Sequence, residues 1–171
     1  MRVRRAMARR DFMSPFSARG ARYTARTRKS CALLPRVRAT RMRNARTVSV
    51  SIFRDARETY EYIRATSHLT EWATGLGAVT GEVDDVVQID TPNGPGTLKF
   101  APPNDFGILD HTIALESGAV TEVPMRVLSN GDGCEVMLTI FQPEDMTERE
   151  FSRDANWVKR DLETLRDALE V

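Results

Sequence analysis

The sequence has few residues, and none of the short motifs, that mark common metal, redox or nucleotide sites. It contains two cysteines, Cys31 and Cys134, and two histidines, His68 and His111. Two cysteines do not make a disulfide framework, so we expect a protein of the reducing cytoplasm. There is no CxxC pair, no HExxH pair, and no glycine-rich phosphate loop of the Walker or GxGxxG type. We therefore predict no metal site and no cofactor.

Long hydrophobic runs are also lacking, and acidic residues are scarce at one end of the chain. No apolar run approaches the ~20 residues of a membrane-spanning helix, so we expect no membrane segment. Residues 1–46 carry 15 lysines and arginines against one acid, Asp11, a formal charge of +14, whereas residues 47–171 carry −13. Phosphate contacts need a basic face, so the acidic body argues against nucleic-acid binding by the folded part.

Residues 1–46 show no helical stripe and no strand alternation long enough to bury a core, which predicts a disordered basic leader. Three interpretations stay open. Met42 is the true start and the leader is a mis-assigned extension, or the leader is an organelle transit peptide, or it is a tail for nucleic acid or membrane surfaces. Residues 47–171 are long enough for one domain with its own core.

The chain does contain a long, one-sided helix near its C-terminal end, within residues 147–171. Apolar residues recur there at alternating steps of four and three, which places them on one stripe. Thr147 and Glu150 have the spacing of a capping box that begins the helix. The stripe consists of Phe151, Ala155, Val158, Leu162, Leu165 and Leu169.

The segment between residues 47 and 141 predicts one strand, two short helices and then a series of strands. Asp55 begins the first short helix and Ser67 the second. Pro124 lies inside one strand and indicates an edge or a bulge. The predicted strands, separated by turn-rich segments, cover 47–53, 79–84, 86–90, 97–101, 108–115, 119–128 and 134–141.

This order predicts an α+β fold in which a curved antiparallel sheet of about six to seven strands wraps around the long C-terminal helix. Strands joined by short turns form a meander, and the first strand can pair with the last. We expect the helix to cross the concave face of the sheet and to leave a cavity beneath it. The inward face of 134–141 stays open, because two sets of residues compete for it: Cys134, Val136, Leu138 and Ile140 against Met137 and Phe141.

The element order and several local strings resemble the START-like (SRPBCC) superfamily with the helix-grip fold, most of all its polyketide cyclase or dehydrase-like branch. The strings are YEYI at 60–63, LTEW at 69–72, FGILDH at 106–111, PMRV at 124–127 and GDGCEV at 131–136. The resemblance covers about residues 47–171. It implies a Bet v 1-like helix-grip domain, but the superfamily spans ligand carriers, cyclases, hydroxylase components and co-chaperones. The iron-ligand set of its hydroxylase members has no counterpart in this sequence.

His111 is the candidate catalytic residue. The alternation in 108–115 places Leu109, His111, Ile113 and Leu115 on one face, and His111 enters the cavity if that face meets the helix. A histidine there can exchange a proton near neutral pH, as an aldol-type closure or a dehydration requires. Alternatively it orients a polar ligand atom or fills the core. Asp110 points to the opposite face, so we expect no tight Asp110–His111 dyad.

The other candidate ligand contacts are mostly aromatic or apolar side chains. Trp72, Phe106 and Trp157 would line or gate the cavity, with core packing as the competing interpretation. Cys134 has no base beside it in the sequence and is predicted to be an inert, packed thiol. The complete set of candidate ligand-binding residues is Trp72, Phe106, Leu109, His111, Ile113, Met125, Trp157 and Val158.

The sequence therefore favours a domain that binds a small hydrophobic or aromatic molecule in an internal cavity, as a monomer or homodimer and without catalysis. One alternative is a cyclase or dehydratase that uses His111 as acid and base; it needs a second polar group within reach. The other is an interaction module or co-chaperone of the Hsp90-activator type, which predicts an exposed docking patch.

Overall fold

Strands and helices follow one another in the predicted order within residues 42–171, which a computed structural model describes. The predicted leader lies outside the described residues except for its last five, and β1 begins two residues earlier than predicted. The elements are β1 (Ala45–Ile52), α1 (Ala56–Arg64), α2 (Leu69–Trp72), β2 (Ala78–Val83), β3 (Val86–Thr91), β4 (Gly94–Phe100), β5 (His111–Leu115), β6 (Val120–Val123), β7 (Met125–Asn130), β8 (Gly133–Phe141) and α3 (Glu148–Leu169).

The two longer helices begin at the capping residues that the sequence predicts. The Asp55 carboxylate accepts the backbone N–H groups of Arg57 and Glu58 and starts α1. At α3, the Thr147 hydroxyl accepts the Glu150 N–H, and the Glu150 carboxylate accepts the Thr147 N–H. These bonds satisfy N–H groups that have no partner inside a helix.

Pro124 joins two groups of antiparallel strands into one layer. One group has the order β1-β8-β7 and the other β2-β3-β4-β5-β6. Before Pro124, Val123 of β6 lies opposite His111 of β5. After Pro124, the Met125 carbonyl accepts the Leu109 N–H at 2.9 Å, so the two chain segments keep the same register on both sides of the proline. Proline has no N–H for the ladder. The strand predicted at 119–128 is therefore divided into β6 and β7, and the described residues form eight strands.

Pairing between β1 and β8 decides which face of β8 points inward. Val50 lies opposite Val136 and Ile52 opposite Cys134, and directly paired residues share one face of a sheet. All four are buried. The set that includes Cys134 and Val136 therefore faces the core, and the predicted pairing of the first strand with the last is confirmed.

The core lies between this sheet and α3, with α1 and α2 covering part of it. Leu162, Leu165 and Leu169 of the predicted stripe are buried in the continuous core. α3 starts beside the beginning of β1, where Arg46 pairs with Glu148, and ends beside Phe53, whose N–H donates to Glu170 at 2.7 Å. The predicted α+β architecture is confirmed. Among the described residues, no helix combines the length and the apolar character needed to traverse a bilayer.

Candidate functional site

The interior between the sheet and α3 differs from one end to the other. At the end we call the closed end, Ile52, Val136 and Leu165 are at most 1% exposed. At the other, the open end, Val48, Ile140 and Val158 continue the same faces of β1, β8 and α3 but are only partly buried. The apolar inner surface is therefore less covered beside Val48, Ile140 and Val158, although Phe151 and Ala155 of α3 are buried.

A cleft of about 580 Å³ lies at the open end. It forms where β8 separates from β6: the Thr139 N–H donates to the Pro124 carbonyl, and beyond that bond β6 pairs only with β5. Leu115 belongs both to the cleft and to the inner face of the sheet. The lining residues are Arg43, Asn93, Leu115, Ser117, Ala119, Val120, Thr121, Glu122, Phe141, Pro143, Asp145 and Met146.

One row of inner-face side chains on β5 leads from this cleft into the protein. Leu115 is at the cleft, Ile113 is next and partly buried, and His111 is deepest and 9% exposed. Four residues of strand span about 13 Å. The inner face of β5 thus carries two apolar side chains, Leu115 and Ile113, followed by the polar side chain of His111 at its deepest point.

His111 is held as a neutral imidazole. Its Nδ1 lies 3.0 Å from the Leu109 carbonyl oxygen, and a carbonyl can only accept, so Nδ1 carries the proton and Nε2 is an acceptor. Burial lowers the pKa of His111, and the bond to Leu109 opposes this only in part. The Phe100 ring packs edge-on at 5.3 Å. Among residues 42–171, no side chain hydrogen-bonds to the imidazole.

Asp110 is engaged on the other face of the strand. Its carboxylate accepts the Met125 N–H at 2.8 Å and pairs with the Arg126 guanidinium. Asp110 thus binds the two residues that follow Pro124, where the proline leaves the strand ladder without one hydrogen bond. Asp110 and His111 therefore form no dyad, as the alternation predicts, and Arg126 pairs with Asp110 instead.

Of the eight predicted contact residues, six lie on the interior side. Leu109 and Met125 are completely buried, and Trp72 is 4% exposed. The Trp72 indole Nε1 is buried and has no hydrogen-bond partner within the described part of the chain. Ligand contact by these residues stays a prediction. The six are Trp72, Leu109, His111, Ile113, Met125 and Val158.

Phe106 and Trp157 are not brought to the interior. Phe106 is 78% exposed, because the Asn104 side chain binds the N–H groups of Phe106 and Ile108 and turns this loop outward. Trp157 is 45% exposed, and its Nε1 donates to the Thr74 hydroxyl at 3.0 Å. Phe106 also lies beside Leu128, itself 46% exposed, at a small surface cleft. The interaction-module alternative, which requires an exposed docking patch, stays a prediction.

Sequence reasoning missed most of the cleft residues. They come from the chain before β1, from two hairpin turns and from the connection between β8 and α3, and nothing local signals that these segments meet. Leu115 carried the one usable signal, because it shares the alternation of Ile113 and His111.

Two other features are the Cys134 thiol and a depression on the outer face of the sheet. Cys134 is 1% exposed, and its Sγ contacts the Thr59 hydroxyl at 3.4 Å; burial raises the pKa of the thiol, as expected for an inert group. A depression of about 650 Å³ on the outer face of β4, β5 and β6 includes Lys99 and Glu122, and its lining extends to Phe100 and His111. Within residues 42–171, no three His, Cys, Asp or Glu side chains are placed to hold a metal ion.

Comparison with known proteins supports the architecture. Neither a family model nor a curated protein sequence matches the chain. Among solved structures, XoxI of Bacillus cereus has 16% identity and a TM-score of 0.58, over 73% of this chain and 94% of that one. The Aha1 dimer from Colwellia psychrerythraea gives 18% and 0.58, over 75% and 97%.

A third solved structure bears the name of the superfamily itself. A START superfamily protein from Mycobacterium smegmatis has 9% identity and a TM-score of 0.57, over 74% of this chain and 97% of that one. At such identities the likeness concerns the fold. The chain therefore has the helix-grip fold of the START-like, or SRPBCC, superfamily that the sequence resembles.

Proposed function

We propose that the domain of residues 47–171 binds a small hydrophobic or aromatic molecule between the sheet and α3. The observation that carries this proposal is the partly buried apolar inner face at the open end, next to the cleft of about 580 Å³. Val48, Ile113 and Ile140 are inward-facing and only partly buried there. Apolar surface in a concavity is favourable for an apolar ligand, because covering it removes it from water.

The ligand enters through the cleft and lies along the β5 row toward His111. The row spans about 13 Å, which suits a molecule of two or three rings or a chain of similar length. Nε2 of the neutral His111 accepts a hydrogen bond from a hydroxyl or N–H group at the leading end of the ligand. The remaining contacts are apolar, with Ile113 and Val158 on the two sides.

The surroundings of His111 favour binding over catalysis. Acid–base chemistry by the cyclase or dehydratase alternative needs a second polar group near the imidazole or near a bound carbonyl. His111 packs against the Phe100 ring, and the Leu109 carbonyl occupies its Nδ1. Lys99 and Glu122 line the depression that His111 borders, and neither forms a hydrogen bond with the imidazole. The nearest carboxylate in sequence, Asp110, is bound to Arg126.

A fluorescent apolar dye, N-phenyl-1-naphthylamine, tests the proposal, since its emission rises when it leaves water. We expect saturable binding to the wild-type protein and a loss of at least about tenfold in affinity in Leu115→Trp, because the larger ring narrows the cleft. Val83→Trp is the matched control: it adds the same ring at a β2 side chain that is 64% exposed, and it should bind as wild type. Absence of saturable binding to the folded wild-type protein, or equal affinity of both variants, would overturn the proposal.

A further inference from the structure

Trp72 leaves one buried hydrogen-bond donor unused. The residue ends α2, which packs against α3 and β2. It is 4% exposed and belongs to the continuous core. Its Nε1 is buried without an acceptor among residues 42–171, whereas the Trp157 Nε1 has the Thr74 hydroxyl. Buried polar groups are nearly always paired, so an unpaired donor points to a missing partner.

We infer that the Trp72 indole N–H is a second polar anchor of the site, and that the ligand carries a hydrogen-bond acceptor such as a carbonyl oxygen. This rests on the proposed function. An indole N–H can only donate, and Nε2 of His111, with the proton on Nδ1, can only accept. The two anchors come from opposite layers, Trp72 from the helices and His111 from the sheet.

These complementary anchors define a chemical class of ligand. It is an apolar, flat or extended molecule with a carbonyl-type oxygen and, separately, a hydroxyl or N–H group. A pure hydrocarbon would fill the same space and leave both anchors unsatisfied, which weakens its binding relative to a matched ketone.

The test compares 2-acetylnaphthalene with 2-isopropenylnaphthalene, which have nearly the same shape but differ in a carbonyl oxygen. The protein is ¹⁵N-labelled Trp157→Phe, in which Trp72 is the remaining tryptophan of the chain. We expect the ketone to bind roughly 2- to 10-fold more tightly, the gain of one hydrogen bond. The Trp72 indole proton should move downfield with the ketone and not with the alkene. Trp72→Phe should bring the affinity ratio to about one.

Each outcome bears on the inference. A ketone preference together with the downfield indole shift supports it. Equal affinities with an unmoved indole signal overturn the inference and leave the proposed function standing. The Trp72 Nε1 would give that same result if it already had an acceptor in the free protein. Binding of neither naphthalene overturns both. Where Trp72→Phe does not fold, the indole signal of the Trp157→Phe protein decides alone.

Discussion

The two halves of α3 carry the same apolar stripe but are covered differently. At the closed end, Leu162 and Leu165 are at most 1% exposed, and α1 packs there against β7 and β8. At the open end Val158 is partly buried, and Phe151, although buried, lies outside the continuous core with the Arg46 guanidinium 5.2 Å from its ring. The open end has the segment before β1, two hairpin turns and the connection between β8 and α3 where the closed end has a helix. Amphipathic periodicity thus predicts which side of a helix faces inward, but the neighbouring elements decide how much of it is covered.

Two leucine truncations provide the largest test of this difference. Leu165→Ala at the closed end should lower the free energy of unfolding by about 2–5 kcal/mol, because it removes buried methyl groups and leaves a cavity. Leu115→Ala at the cleft should lower it by roughly 1 kcal/mol or less, because that side chain is only partly buried. Urea unfolding monitored by circular dichroism measures both. Equal losses would mean that the two ends are packed alike.

Much of this architecture could be predicted from local patterns. The Thr147–Glu150 capping box and the stripe through Leu165 depend on spacing along one helix, and the sequence displays both. The inward face of β8 could not be predicted, because both of its faces carry apolar residues. It was decided by pairing with β1, whose residues lie about 85 positions earlier in the chain.

The site was less predictable than the fold for a related reason. His111 and Ile113 follow from strand alternation, which is local. Phe106 was predicted to line or gate the pocket, but it is turned outward by the Asn104 side chain, which accepts the N–H groups of Phe106 and Ile108 and donates to the Ile108 carbonyl. The unpaired Trp72 donor depends on what surrounds it in three dimensions, and no sequence pattern indicates it.

The pH dependence of the free energy of unfolding tests whether His111 is buried or in contact with water. Burial lowers its folded-state pKa below the ordinary value of 6.5, so as the pH falls the unfolded chain takes up this proton first and stability decreases. Between that value and the lower folded-state pKa, the slope approaches about 1.4 kcal/mol per pH unit. His111→Gln should flatten the profile between pH 7.5 and 5.5.

His68→Gln is the matched control, because it removes the other histidine of the chain and leaves His111 intact. It should retain the acid-dependent loss of the wild-type protein in the same urea series. A wild-type profile that stays flat over this range would place His111 in contact with water, on the open side.

Two helix caps give the smallest and most local comparison. Thr147→Ala at the open end and Asp55→Ala at the closed end should each lower the free energy of unfolding by about 1 kcal/mol, because each removes a side-chain acceptor for helical N–H groups.

Amide hydrogen exchange distinguishes the two variants. The Phe151 N–H, bonded to the Thr147 carbonyl, should exchange faster in Thr147→Ala through local opening that leaves Leu165 protected. The Thr59 N–H belongs to a completely buried residue on α1, so in Asp55→Ala it should exchange only through global unfolding, together with Leu165. Identical exchange behaviour in the two variants would show that α3 is held as firmly at its beginning as at its end, and the difference between the two ends would not exist.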